Sequence, residues 1–351
     1  MMYAVIMAGG RGTRLWPQSR ENTPKQLWKI LGGESLLQAT VKRVEPLVAM
    51  EQVYILTVES LAGQIAEQLP QLPDKNIIIE PVGRSTAPCA GLAALYIADP
   101  DACMVVLPAD HVIRDNAGFL KTLQTAVEVA QEGEKLVTFG IKPSGPETGF
   151  GYIQKAQALR EHVYAVRQFT EKPDIETATH FIESGEYYWN SGMFVWKVST
   201  LMTMIERYLP DLHQGLMTIQ AVIGSADEQR VIADVFQGLE SVSIDYGIME
   251  KAESTYVVSS DFGWSDVGSW AALPEVWDAD QDGNVVKGRS VAYESRDNIV
   301  YSDSGLTALI GVENLIVVNV GDTVLVCEKD RAQDVKKIVE LLEQQDMREF
   351  L

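Results

Sequence analysis

A short apolar run, Tyr3–Met7, empties directly into Ala8-Gly9-Gly10-Arg11-Gly12-Thr13-Arg14, with Pro24-Lys25-Gln26 a few residues on. Five apolar residues closed off by glycines are expected to form a strand buried on both faces, which in turn requires helices packed on both sides of a sheet. The glycines admit backbone angles closed to other residues and keep Cβ atoms away from a bound group. Successive backbone N–H groups in such a loop can cradle phosphate oxygens. Arg14 and Lys25 add fixed positive charge of the right kind. A nucleoside polyphosphate site at the N-terminus is the expectation.

The next 130 residues keep the same texture. Further strands are expected at Val53–Thr57, 76–80, Met104–Leu107 and Leu136–Ile141. Helical spacing fills the intervals near 35–48, 59–69, 87–97 and 119–132. Regular strand–helix alternation predicts an α/β fold with a doubly wound, mostly parallel sheet. Ligands of such sheets sit beyond the carboxyl ends of the strands, where both Gly9–Gly12 and Asp110 fall. From about Gly149 to Trp270 the pattern is mixed, with strands expected at Val163–Phe169 and Gly192–Lys197 and helices after Asp174 and Ser199. A turn-rich stretch, Asp278–Gly288, then leads into short β runs at 290–293, 298–301, 306–310, 315–320 and 323–327. These predict a small β domain or stacked coils, closed by an amphipathic helix from Arg331 to about Met347. The expected domains are therefore 1–277 and 278–351.

Charge narrows the function. A formal net charge of −20 over 351 residues disfavours nucleic acid and anionic membrane as partners. Substrates that are themselves anions then require local cations, and Arg11, Arg14, Arg20 and Lys25 crowd into one short stretch. They also favour recruitment of a divalent metal. No apolar run approaches the ~20 residues of a membrane helix, and no basic segment precedes Tyr3, so neither a membrane span nor a signal peptide is expected. Cys89, Cys103 and Cys327 are odd in number and lack a C-x-x-C pair, which fits a reducing, cytoplasmic setting. Asp278, Asp280, Asp282 and Gly283 match the first half of a calcium loop, but Arg289 stands at the twelfth place, so a polar junction is expected there.

Spacing separates this loop from two well-known phosphate binders. No Lys-Ser or Lys-Thr pair follows at P-loop distance, and Leu15 occupies the place where a dinucleotide fingerprint needs glycine or alanine. What stands here is G-G-x-G-x-R-L-x-P, continued by Ser19-Arg20 and Pro24-Lys25-Gln26. This resembles the signature of the sugar-phosphate nucleotidylyltransferases, and the Ser-Arg and Pro-Lys-Gln extension is similar to the branch that guanylylates mannose 1-phosphate. Gly149-Phe150-Gly151-Tyr152-Ile153, Glu171-Lys172-Pro173 and Asn190-Ser191-Gly192-Met193-Phe194 follow in the family's order.

The resemblance implies transfer of GMP from GTP to mannose 1-phosphate, giving GDP-mannose and pyrophosphate with Mg2+ as cofactor. It implies that Ala8, Gly9, Gly10, Gly12 and Thr13 cradle the nucleotide, and that Arg14 and Lys25 neutralise the leaving pyrophosphate. The metal carboxylates would be Asp110, after Pro108 in Pro-x-Asp-His, and Asp266, in Trp-x-Asp-Val-Gly, with Asp261 a nearby competitor. An acid after a strand is also a common turn residue. Glu80 could accept from both N1–H and N2–H2 of guanine, which adenine does not offer. Gly83, Ser85 and Thr86 belong to the same stretch, although Ser85 stands where the family usually has asparagine. Gly151, Glu171, Lys172 and Asn190 are expected on the sugar, with Lys172 gripping its phosphate. The C-terminal piece resembles a stub of left-handed β-helix used for subunit contact, so a homodimer is expected. Two alternatives stay open: the same chemistry on another sugar 1-phosphate or nucleotide, and a non-catalytic sugar-nucleotide sensor.

Overall fold

The structure, a computed structural model, describes all residues from 1 to 351. The chain packs as two compact units, one of residues 1–9, 40–109 and 113–264, the other of residues 10–39, 110–112 and 265–351.

The first unit is built on a nine-stranded sheet. In spatial order its strands are Ile77–Ile79, Val53–Thr57, Met2–Met7, Cys103–Pro108, Tyr187–Lys197, Leu136–Ile141, Thr255–Ser260, Val163–Thr170 and Tyr152–Arg160. Met2–Met7 runs parallel to both neighbours, with Ala4 opposite Val53 on one side and Val105 on the other. Ala4, Val5 and Ile6 are fully buried, which is why an unbroken apolar run was needed there. The helix Thr86–Ala94 is buried on every face from Ala87 onward, so its sequence is apolar all round, not striped. Leu56, Ala90, Val106, Trp196, Leu201, Phe236 and Val257 belong to one continuous core.

The sheet is mixed, not mostly parallel. Tyr187–Lys197 runs antiparallel to both Cys103–Pro108 and Leu136–Ile141, and Tyr152–Arg160 pairs antiparallel with Val163–Thr170. Only the end of the long strand is legible in sequence, because Gly192, at φ 69°, interrupts its β pattern. The strands Tyr152–Arg160 and Thr255–Ser260 and the helices Pro210–Gln220 and Glu228–Gly238 add to the elements read from sequence.

The second unit contains the stacked coils. Val285, Ile299 and Ile316 lie in parallel register, as do Ser290 and Thr307. Asparagine side chains stitch successive coils: Asn284 Oδ1 accepts from the Asn298 N–H at 3.0 Å, and Asn298 Oδ1 accepts from the Leu315 N–H at 3.0 Å. Thr323–Glu328 closes the stack antiparallel to Leu315–Val320. The last α-helix is Val335–Gln344, shorter than expected because Lys329–Asp334 is a 3-10 turn. At the junction Asp280 Oδ1 accepts the N–H groups of Asp282 and Asn284, at 3.0 and 2.8 Å, so that acid organises a turn.

Residues 10–39 pack with 265–351, so the division by packing differs from the expected boundary at 277/278. Tryptophans supply the reason. Trp28 meets Trp270, Trp277 and Tyr301 at ring separations of 5.8, 6.0 and 5.4 Å. Trp270 Nε1 donates to the Trp16 carbonyl and Trp277 Nε1 to the Ile30 carbonyl, each at 2.9 Å. Aromatic burial with a satisfied N–H is among the larger contributions a single side chain can make.

Candidate active site

The residues expected on phosphate, Gly12, Arg14 and Lys25, lie in the second unit. Gly12 has φ +64°, and a Cβ there would fall 2.7 Å from Lys25 Cβ and 2.9 Å from Ser19 Oγ. No other residue could hold the loop this close to the lysine. Pro24 starts a short 3-10 turn, Lys25–Leu27, that turns Lys25 inward. Lys25 is 5% exposed, and its ammonium donates to Asp110 Oδ2 at 2.8 Å and to the Asp266 backbone carbonyl. Burial pushes the Asp110 carboxyl up, but the Lys25 and His111 charges and the Lys25 hydrogen bond outweigh it, so the group sits below its ordinary range.

Asp266 is shaped by its own neighbours. The Gly268 N–H donates to Asp266 Oδ1 at 3.0 Å, and the Val267 N–H donates to Ser265 Oγ at 3.1 Å. Ser265 in turn donates to Glu275. Val267, a β-branched residue, is held at φ 44°. Such an outlier persists only when the surroundings over-determine it, as they do at working sites. Gly12, Thr13, Arg14, Lys25, Asp110 and Asp266 line one cavity of about 320 Å³. Asp266 reaches it and Asp261 does not.

Of the four clustered cations, only Arg14 and Lys25 face that cavity. Arg11 turns to Glu21 and Glu343, at 3.3 and 3.4 Å. Arg20 donates to the carbonyls of Pro17 and Glu349 and to Thr323 Oγ1. Those two arginines anchor the loop to the C-terminal segment instead.

The residues expected on base and sugar lie in the first unit. Ala8 is spent in the sheet, its N–H on the Leu56 carbonyl at 2.7 Å, while Gly9 leaves space beside the Glu80 carboxylate. Glu80 is buried. Its Oε1 accepts the Arg84 N–H at 2.7 Å and its Oε2 accepts the Cys89 thiol at 3.0 Å. Burial, and then the Glu80 charge, drive that thiol well above its ordinary pKa. Each carboxylate oxygen keeps a further lone pair, so Glu80 both organises the exposed turn Pro81–Gly83 and retains acceptor capacity. The Arg84 guanidinium donates to the carbonyls of Phe236 and Gln237, each at 2.7 Å. Ser85 is held at φ 70°, and Thr86 Oγ1 accepts the Ile244 N–H at 2.9 Å.

That last bond ties the base loop to the sugar cluster. Asn190 donates from Nδ2 to Asp245 Oδ1 at 2.8 Å, while its Oδ1 accepts from Thr138 Oγ1 at 3.1 Å. Lys172, at φ 47°, donates to Glu171 Oε1 at 2.7 Å. The other oxygen, Glu171 Oε2, is buried with no hydrogen-bond partner. A buried carboxylate oxygen left unpaired is costly and invites a donor such as a sugar hydroxyl. A Cβ at Gly151 would fall on this carboxylate, so glycine is required beside it. The Asp245 carboxyl is pushed up to about 6 by burial and then by the Glu171 charge, against its own backbone bond, the Asn190 donor and Lys172. Burial lowers the Lys172 ammonium, but the Glu171 bond and charge, with Asp245 and Tyr246, leave it above its ordinary value.

A family model described as nucleotidyl transferase matches residues 3–283. The chain belongs to the nucleotidyl transferase family. A second model, for the mannose-phosphate isomerase/GMP-like β-helix domain, matches residues 288–342, the stacked coils. The chain is 45% identical over 345 residues to a mannose-1-phosphate guanylyltransferase of Salmonella muenchen, covering 96% of this chain and 72% of the relative. It is 44% identical to one from Escherichia coli, covering 100% and 76%. A solved structure from Thermus thermophilus, described as a mannose-1-phosphate geranyltransferase, is 38% identical with a TM-score of 0.86, covering 97% and 99%.

As a nucleotidyl transferase the chain has one feature that motif reading missed. Asp245 sits in a π-helical turn, Asp245–Met249, and no spacing rule connects it to Asn190, 55 residues away. A π turn is itself a frequent companion of function, but it shows only in the backbone. Tyr187 and Trp196, beside the asparagine in sequence, pack against Phe181 and Phe194. No helix is long and apolar enough to cross a membrane.

Proposed function

We propose that this chain transfers GMP from GTP to mannose 1-phosphate. A phosphate oxygen of the sugar phosphate attacks the α-phosphorus in line, the α–β bridging bond breaks, and its electron pair leaves with pyrophosphate. The nucleophile is already an anion, so no general base is required, and catalysis is positioning plus electrostatics. The observation that carries the proposal is the buried Lys25 bridging Asp110 and Asp266 in a cavity that Arg14 also lines.

The geometry is compatible with the roles that the resemblance implies. Lys25 and Arg14 offset charge building on the pyrophosphate oxygens. The Asp110 carboxylate and the Asp266 backbone carbonyl hold the Lys25 ammonium, and both side chains offer only oxygen donors to the cavity, a set that suits magnesium. Bound there, the ion would neutralise the triphosphate. Glu80 accepts from the guanine edge, and Gly9, Gly10, Gly12 and Thr13 leave backbone N–H groups open to phosphate. Glu171 and Asn190 receive sugar hydroxyls, and Lys172 takes the sugar phosphate. The proposal includes a cytoplasmic setting and a homodimer. Exposed Val291, Tyr293, Leu306 and Ile310 on the coils are the apolar surface such pairing would cover.

Pyrophosphate release, with magnesium, across four nucleotides and two sugar 1-phosphates tests the reading. Release that requires both GTP and mannose 1-phosphate supports it. Release with another pair keeps the chemistry and replaces the substrate. No release from folded protein that binds nucleotide points to the sensor.

A further inference from the structure

The cavity that holds Lys25 has one cation that belongs to no sequence motif. Lys336 is the second residue of the helix Val335–Gln344, and it lines the same cavity as Arg14, Lys25, Asp110 and Asp266. That helix buries Val335 and Val339 and packs on the signature turn Thr13–Leu15, so Lys336 is carried on a rigid element, not a loose tail.

Its lack of pairing is unusual for its surroundings. The adjacent Lys337 is taken by Asp334 Oδ1 at 2.7 Å, and Arg331 by Asp334 Oδ2 at 3.1 Å. Lys336 has no carboxylate partner, although the chain carries a net charge of −20. Arg14 is the other lining cation without one. A lysine in the first turn also opposes the helix dipole, a local cost that a bound anion would reverse. Two unpaired cations aimed at one cavity, in a protein this acidic, mark a site for a highly charged anion.

We infer that Lys336 is a phosphate-binding residue of the nucleotide site, gripping the part of the triphosphate that departs as pyrophosphate. This rests on the guanylyl-transfer reading. Pyrophosphate is the most densely charged species in that reaction, and its charge grows as the α–β bond breaks, so it gains most from an added ammonium. The C-terminal segment would then supply part of the nucleotide site as well as its coils.

Wild type, Lys336→Ala and Lys336→Arg are compared in both directions. The forward reaction varies GTP and mannose 1-phosphate, and the reverse varies pyrophosphate and GDP-mannose. The expected result for Lys336→Ala is a KM for pyrophosphate and for GTP raised about tenfold, as loss of one charge-assisted bond does. KM for the two sugar compounds stays unchanged, and Lys336→Arg restores most of the loss. An unchanged KM for pyrophosphate in Lys336→Ala overturns the inference. Calorimetric titration with magnesium pyrophosphate reads the same contact without turnover, and equal affinities in wild type and Lys336→Ala also overturn it. Should wild type release no pyrophosphate from any pair, the guanylyl-transfer reading fails, and the titration still decides Lys336.

Discussion

The ammonium of Lys25 lies 2.8 Å from Asp110 Oδ2, joining residues 85 positions apart inside one compact unit. The same ammonium reaches the Asp266 backbone carbonyl, so one cation ties the Asp110 carboxylate to the backbone that carries Asp266. A group that organises the cavity and, on the proposed function, also meets the leaving phosphates should be hard to replace.

Lys25→Ala is therefore expected to lower kcat by ~100-fold or more, in the range seen when a transition-state charge contact is lost. Lys25→Arg should recover little, because a planar fork does not fit a point-charge position. Steady-state rates of pyrophosphate release, with circular dichroism to confirm folding, check this. Near-normal turnover in Lys25→Ala would remove the residue from the mechanism.

Gly12→Ala combines a backbone penalty with a clash. At φ +64° a Cβ costs about 1–2 kcal/mol, and here it also meets Lys25 Cβ at 2.7 Å. A lower urea midpoint together with loss of activity is expected. Full stability and full activity together would show that the loop relaxes freely.

Glu80→Gln keeps the size of the side chain and changes one oxygen into a donor. The guanine edge then faces a mismatched group worth about 1–3 kcal/mol. The ratio of kcat/KM for GTP over ATP should fall by about tenfold or more. An unaltered ratio would confine Glu80 to holding the Arg84 N–H and the Cys89 thiol.

Asp245 ties the site to pH. Its folded pKa of about 6 exceeds the ordinary value of 3.8. Between those values the folded state binds more protons than the unfolded chain, so stability from this group falls as pH rises through the window and is level above it. A difference of that size corresponds to about 3 kcal/mol at most. Asp245→Asn keeps an oxygen for the Asn190 bond and removes the charge. Its melting temperature should exceed that of wild type at pH 8 and converge with it near pH 4. Parallel curves for the two proteins across that range would refute the shift.

Several residues that line the candidate cavity are local in the chain and were legible there. Gly12, Arg14 and Lys25 sit within one motif because a loop after a strand must supply turn, donors and charge in a few residues. Asp110 was legible because it closely follows the apolar run that ends at Pro108. The coils were legible as evenly spaced β runs, and the helix Thr86–Ala94 as helical spacing of apolar residues near 87–97.

Other features had no local signal. The antiparallel entry of Tyr187–Lys197 depends on pairing with strands at both 103–108 and 136–141, which no window of sequence contains. Arg11 and Arg20 read like Arg14, yet the partners that turn them to the C-terminal segment, Glu343, Glu349 and Thr323, lie over 300 residues away. Asp245 and Lys336 belong to no motif at all.

What the sequence by itself determined is local: which segments are strands, where a glycine-rich, cation-flanked loop stands, and which carboxylates and cations are available. Only the tertiary structure decided which of those groups share a cavity, and that residues 10–39 fold with 265–351. The physical reason is range. Propensity and periodicity act over a turn or a strand, whereas the burial of Trp28, Trp270 and Trp277 together, and the pairing of Lys25 with Asp110, exist only after distant segments have met.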